Sequence, residues 1–478
     1  MRRNLRRITI LVVGLMVALG ALWFEIAPPS LEVPPPSVTL HDVTIVNPGQ
    51  ERRTVARIDI RAGRVAWLGG GGIAPRAGVE DPERPFAPDV ERYAGAFVLP
   101  GLIDMHVHQP PATPLGDVQL AALLFLRYGV TAVRDTGSFD GKILSERERI
   151  RAGEFPGPRI FACGPILDGD PPFWSGSRVV RNAEEGRHAV YELAAAKVDC
   201  IKVYEHISRD ALEGVEEAAK ERGLPVIGHV PDAVPFSEAN LADVQHLTGI
   251  LQPGEPLTQA RIRSIVNTSA ALHIAHTPTL VFLDRVSKLA DYRQELRDPT
   301  ALLLPRYYRE ILWNPAYDAR LRGLSAGDGD ALRENLQSAK RIVKALYDAG
   351  VEIHVGTYAM NPIVVPGASL QEEMWELVDA GLTPEQVWVA ATSTAGKALG
   401  QPLLGTIQLG APADLLVFRE DPTKDLNALQ TLEAVIAAGR LYPRETLEEA
   451  VGRWQQHIAD PVYDTISMWL AGWLIPPR

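Results

Sequence analysis

The run Pro100-Gly101-Leu102-Ile103-Asp104-Met105-His106-Val107-His108 ends in two histidines two residues apart. On a strand, alternate residues point the same way, so both imidazoles can face one point. Two neutral imidazoles converging there suit zinc, iron or a similar divalent ion. Alone, such a pair is as readily two solvent-facing histidines, and its weight here comes from four further positions. Lys202 lies in Cys200-Ile201-Lys202-Val203-Tyr204, an apolar run where an unpaired ammonium is costly. A buried lysine is readily deprotonated and recruited. With carbon dioxide it gives a carbamate whose two oxygens can bridge two metals; the plainer reading pairs it with Glu205 or Asp232. His229, after Val226-Ile227-Gly228, and His246, after Asp243-Val244-Gln245, each end a short strand-like run. Tyr358 ends another, His354-Val355-Gly356-Thr357.

Strand ends must gather these positions, and the chain between Phe97 and Leu403 has the pattern to do so. Short apolar runs alternate there with helical stretches such as Asp210–Arg222 and Ala331–Ala349. Strand candidates centre on His106, Arg134, Phe161, Lys202, His229, His246, Leu280 and His354. Eight β–α units of this size predict an α/β architecture, a closed (β/α)8 TIM barrel over residues 97–402, with its site at the C-terminal strand ends. Alternating runs also flank the barrel: Val38–Val46, Arg57–Ile60 and Arg64–Leu68 before it, Asp414–Phe418 and Ala434–Ala437 after it. They predict one discontinuous β-sandwich domain, residues 37–96 with 403–445. Residues 446–478 form a C-terminal helical extension.

With these residues in place the chain resembles the amidohydrolase superfamily, and within it the imidazolonepropionase-like and dipeptidase-like branch. The resemblance runs from about Val38 to Tyr442. It rests on Pro100–His108, Thr131–Asp135, Ile201–Tyr204, Gly228–Pro231, Gln245–Leu247, Ala380–Pro384, Ala390–Thr392 with Ala398–Gly400, and Gly405–Leu416. It implies the barrel with its flanking sandwich and one or two divalent metal ions, zinc first. His106 and His108 would then hold one metal, Lys202 as a carbamate would bridge, and His229 and His246 would hold the second.

The chain departs from that pattern at one catalytic position. The family's eighth strand ends in Gly-Thr-Asp, whose aspartate ligates metal and shuttles the proton of the attacking water; here it reads Gly356-Thr357-Tyr358. A phenol of ordinary pKa, ~10, is a poor base near neutrality. His354 shares the face of Tyr358 but lies about 13 Å deeper along a strand, too far to substitute. Gln371 stands where relatives usually carry histidine. Tyr204, Arg134 and His206 are candidate substrate-binding groups near the rim, and His273 and His276 are weaker ones. His41, His188 and His457 read as surface residues.

Composition narrows the function classes. The 478 residues carry a net charge of −11, and without the four arginines of the first seven residues the remainder has 44 basic against 59 acidic groups. So acidic a body does not grip nucleic acid, which needs a basic stripe. Met1–Arg7 is basic and Ile8–Phe24 is free of charge, a pattern for an uncleaved membrane anchor or a signal peptide that leaves the rest exported, periplasmic or extracellular. Prolines 28, 29 and 34–36 then read as a stiff spacer lifting the body off the bilayer. The two cysteines, Cys163 and Cys200, read as small buried residues, with pairing open to them in an oxidising compartment. Ile466–Ile475 is uncharged and sets Trp469 and Trp473 on one helical face, either an interfacial membrane contact or a terminal helix packed on the barrel.

The sequence therefore reads as a metal-dependent hydrolase acting on an amide-like C–N bond of a small-molecule substrate: a capped amino acid, a dipeptide or a cyclic amide. Two alternatives stay open, a catalytically impaired metal-binding homologue and a lactone or ester hydrolase. Homo-oligomers are compatible with either.

Overall fold

The computed structural model describes residues 27–474 apart from 70–88, 111–112, 114, 139–141, 175, 252–255, 290–295 and 315–327. The apolar segment Ile8–Phe24 lies outside the described residues. Among the described residues no helix is long and apolar enough to cross a membrane.

Parallel strands covered by helices are apolar on both faces, and the barrel strands follow that rule. Leu102–Val107, Val130–Asp135 and Arg159–Ala162 form one parallel run. Ile201–Val203, Val226–Gly228, Asp243–Gln245 and Ala275–Thr277 form another. The two runs meet at two seams. At one, residues 353–359 replace a regular eighth strand. The His354 N–H donates to the His276 carbonyl at 2.8 Å, Met105 N–H to Val355 O at 2.9 Å, and Tyr358 N–H to His106 O at 2.7 Å. At the other seam Asp199 N–H donates to Ala162 O at 2.8 Å, and Ala162 N–H to the Asp199 carboxylate at 2.8 Å.

That second seam is also covalent: Cys163 and Cys200 form a disulfide, with Cα atoms 4.4 Å apart. The expectation of two unpaired cysteines is thereby corrected; the barrel brings residues 37 apart in sequence to adjacent strand ends. A second correction concerns Leu280. The seventh strand is Ala275–Thr277, and Leu280 opens the helix Leu280–Lys288. A short apolar run such as Leu280–Leu283 fits helix or strand equally, and Thr279, at φ 50°, turns the chain between them.

Strands from both chain ends meet in one sheet. Its order is Arg440–Pro443, Leu432–Ala437, Leu415–Phe418, Phe97–Pro100, Val38–Ile45, Arg53–Arg61, Arg64–Gly69, with Asp89–Val90 also against Val38–Ile45. Instead of two stacked sheets, this one sheet curls: Val65 N–H donates to Ala411 O at 3.0 Å, and Gly410 N–H to Val65 O at 2.8 Å. Alternate residues Val38, Leu40, Val43, Ile58, Ile60, Leu415 and Val417 close a core of their own, separate from that of the barrel.

The proline-rich stretch is not a free spacer. Pro28 and the Trp454 indole both close on Gly116, within 2.7 Å of where a Cβ would stand. The Arg453 guanidinium donates to Ser30 O at 3.5 Å, Arg440 to Pro34 O, and Gly63 N–H to Pro36 O at 2.9 Å. The carbonyls of a proline-rich strand have no ladder partner, and here the body's arginines supply one. Arg444–Ile458 then packs on Asp117–Arg127, and Pro461–Leu474 ends the described chain. His457 is held between Trp454 and Tyr463, at ring distances of 5.7 and 4.6 Å, so it is an internal link and not simply a surface residue.

Candidate active site

His106, His108, Lys202, His229, His246 and Tyr358 meet at the C-terminal strand ends. Ring centroids lie 5.3 Å apart for His106–His108, 4.4 Å for His106–His246 and 5.2 Å for His229–His246. Strand alternation alone would put Gln245 and His246 on opposite faces. His246 and Leu247, at φ 58° and 57°, break that alternation and turn both side chains to the site. Non-glycine residues in this region are uncommon, and they cluster at functional sites. Tyr358 at φ 69°, Thr279 and Met360 do the same around the same opening.

Each of three rings is oriented through Nδ1. His108 Nδ1–H donates to Gly137 O at 2.7 Å. His106 Nδ1 meets the Gln245 Oε1 at 2.5 Å, while Gln245 Nε2 donates to Asp243 O. His246 Nδ1 meets Thr279 Oγ1 at 2.6 Å. A donating Nδ1–H leaves Nε2 with a lone pair. His106 Nε2, His246 Nε2, both nitrogens of His229 and the Lys202 Nζ are buried without a hydrogen-bond partner. Burial, before any other cause, holds His106, His229 and His246 well below the usual histidine pKa and Lys202 well below that of lysine. The neighbourhood therefore keeps the imidazoles and the amine neutral, the state in which they coordinate or react. Buried polar atoms are normally satisfied, and five orphans around one opening fit a divalent ion.

Two further residues shape the opening. Glu205 Oε1 lies 3.4 Å from His229 Nδ1, and its Oε2 is another buried atom without a partner. Tyr204 stacks on His229 at 4.2 Å, and its hydroxyl is 3.3 Å from the Tyr358 hydroxyl. The Tyr358 ring packs at 4.0 Å from His246, 4.7 Å from His106 and 5.1 Å from His108. This phenol lies among the imidazoles. Among the described residues no three His, Cys, Asp or Glu side chains are already drawn around one ion-sized point.

The remaining candidates separate. His206 is exposed on the rim, its Nδ1–H donating to Pro171 O at 2.8 Å and its ring 5.8 Å from Phe173. Arg134 is not at the mouth: 3% exposed, it donates to Met105 O at 2.8 Å and pairs with Asp243 inside the barrel. A guanidinium is long enough to cross the barrel, which strand position alone does not reveal. His354 joins the same group, 3.0 Å from Asp243. His276 bonds Ser269 at 2.9 Å, and His273 ends the helix Gln259–Leu272 at the opposite end of the barrel, so neither reaches the rim. Gln371 donates to Tyr128 O at 3.4 Å, away from the imidazoles. Sequence reasoning missed Gln245 and Thr279 as orienting groups and took Glu205 only as an ion-pair partner for Lys202. Adjacency to His246 and Lys202 was the available signal.

Comparisons with known proteins identify the family and the fold. The Amidohydrolase family model matches residues 97–442. A dihydroorotase of Pelobacter propionicus is 27% identical over 408 residues, covering 79% of this chain and 88% of its own. An uncharacterized protein of Mycobacterium tuberculosis is 27% identical over 373 residues, covering 73% and 86%. Among solved structures, a bottromycin amidohydrolase superposes with a TM-score of 0.68 at 23% identity, covering 92% of this chain and 93% of that one; at that identity it speaks to the fold.

Proposed function

The chain belongs to the amidohydrolase family and is an enzyme acting on C–N bonds; from that premise we propose a metal-dependent hydrolase of an amide-like bond in a capped amino acid, a dipeptide or a cyclic amide. The observation that carries this reading is the set of buried, unpartnered nitrogens of His106, His229, His246 and Lys202 around one opening. Family members typically use divalent metals. His106 with His108, and His229 with His246, would hold one or two such ions, with Lys202 between them as a neutral amine or its carbamate. When bound, a divalent ion polarises a carbonyl and acidifies a water.

The chain's own groups supply the rest. Gly137, Gln245 and Thr279 fix the imidazoles so that their lone pairs face the opening. Glu205 is the carboxylate nearest His229, and its Oε2 is the atom we assign to accept the proton of the attacking water. The Tyr204 and Tyr358 hydroxyls, 3.3 Å apart, can donate to the substrate oxygen as charge develops there. Phe173 and His206 form the outer lip.

The test is elemental analysis of purified protein, then a hydrolysis screen of N-acyl amino acids, dipeptides, cyclic amides and lactones. We expect at least one divalent ion per chain and turnover of an amide. The His106→Ala/His108→Ala double variant should lose ions while keeping its far-UV circular dichroism; full metal retention would refute the assignment. The phenol packed among the imidazoles favours one alternative, an impaired homologue, and metal binding without turnover of any amide would be its signature.

We also propose an exported body anchored through Ile8–Phe24. A disulfide persists in oxidising compartments, and Cys163–Cys200 supports this placement.

A further inference from the structure

The last helix, Pro461–Leu474, has two unlike faces. Tyr463, Ser467 and Ala471 are buried at helical spacing, and Asp464 pairs with Arg306. The outer face carries Val462, Ile466, Trp469 and Trp473, with Trp469 67% and Trp473 71% exposed. Two largely exposed tryptophans four residues apart are unusual on a surface that meets only water, and tryptophan is enriched where a bilayer meets water. The helix is too short to span one.

What covers this face follows from where the described chain begins. Pro28 and Trp454 both close on Gly116, and Trp454 leads through His457 to Tyr463 at the start of the last helix. Phe24, the end of the uncharged segment, stands four residue steps before Pro28. At full extension they reach only about 14 Å. With the proline stretch fastened to the body, there is no slack. From Tyr463, Trp469 and Trp473 lie about 9 and 15 Å further along the helix. An anchor in the membrane therefore holds Pro28, and with it the side of the body that carries Trp454, His457 and Tyr463, close to the bilayer.

We infer that the outer face of Pro461–Leu474 lies in the headgroup layer of a lipid bilayer, as a second contact beside the N-terminal segment. The inference rests on the anchor reading given above. Residues 465–475 carry no charge that would oppose entry.

The test uses the full chain in vesicles of phosphatidylethanolamine and phosphatidylglycerol. Because both native cysteines are paired, Trp469→Cys, Trp473→Cys and, as control, Leu409→Cys each offer one thiol for an environment-sensitive NBD label. Leu409 is 62% exposed on the curled-sheet domain. We expect doxyl-labelled lipid to quench NBD at 469 and 473 severalfold more than at 409, and aqueous iodide to show the reverse. Equal quenching at all three positions, in protein that floats with the vesicles, overturns the inference and leaves the anchor intact. Protein that does not float overturns both. Shielding of 469 that appears without lipid and grows with protein concentration assigns the face to a second copy, and also overturns it.

Discussion

Tyr358 separates this site from the pattern that the family resemblance implies. An aspartate there would hold a carboxylate beside His106; the phenol instead fills the space between His106, His108 and His246. Tyr358→Asp both opens that space and restores a base, so hydrolysis of an accepted substrate is expected to rise by an order of magnitude or more. An unchanged kcat would show that the phenol is not the limiting group. The structure puts a different carboxylate within reach, and loss of a general base typically costs ~10²–10⁴ in rate. Glu205→Gln should therefore lower kcat by about that range while leaving metal content and folding unchanged; a kcat within twofold of the wild type would remove Glu205 from the chemistry. At this scale the convergence of these residues was legible in the sequence, because a His-x-His pair followed by a lysine, two histidines and a tyrosine at successive strand ends points to one barrel rim. Arg134 was not, since its reach across the barrel to Asp243 depends on which strands oppose each other. Nor were the orienting groups Gln245 and Thr279, whose roles depend on positive-φ residues that no periodicity announces.

Among the elements, the barrel strands are short, and two of their seams are held by isolated bonds. Asp104 ties one of them: it accepts from Thr357 Oγ1 at 2.7 Å and Thr357 N–H at 3.0 Å, and burial raises its pKa to about 7. His276, on the seventh strand, joins that strand to the preceding helix through Ser269. Burial lowers its pKa to about 4. Below pH ~6.5 an unfolded chain protonates this ring while the folded protein does not until about pH 4. The unfolded state binds more protons across that window, so stability falls as the pH is lowered through it, by about 3 kcal/mol from this residue. A His276→Gln variant, less stable at neutral pH, should lose less between pH 7 and 4 than the wild type; parallel curves from urea unfolding would contradict the assignment. The seventh strand was misplaced in the sequence by about four residues because Leu280–Leu283 is as apolar as a strand. The eighth was legible only through its chemistry, since residues 353–359 form bonds without forming a ladder.

For the whole molecule, the sequence displayed the division into barrel and strand-rich flanks, because alternation of period two differs from the barrel's short apolar runs. It did not display that the flanks are one curled sheet, nor that the proline stretch lies on the body; both depend on long-range bonds. Leu415–Phe418 sits between Phe97–Pro100 and Leu432–Ala437, so the amino-terminal strands rely on the carboxy-terminal ones for their core. A chain ending at Gln401 would leave Val98, Ile58 and Ile60 without Leu415, Val417 and Ile436. Such a chain is expected to aggregate or to be cut rapidly within residues 38–69 by a nonspecific protease. Survival of that segment at the full-length rate would show the flanks to be independent.

The shared sheet also sets a timetable for biosynthesis. Its third strand ends at Gly69 and its last at Pro443. At ~5–20 residues per second, those ends leave the ribosome roughly 20–75 s apart. Until Leu415–Phe418 arrives, Phe97–Pro100 beside Val38–Ile45 is an open edge, and open edges recruit other chains. The nascent protein must therefore be kept from pairing with strangers until almost all of it exists.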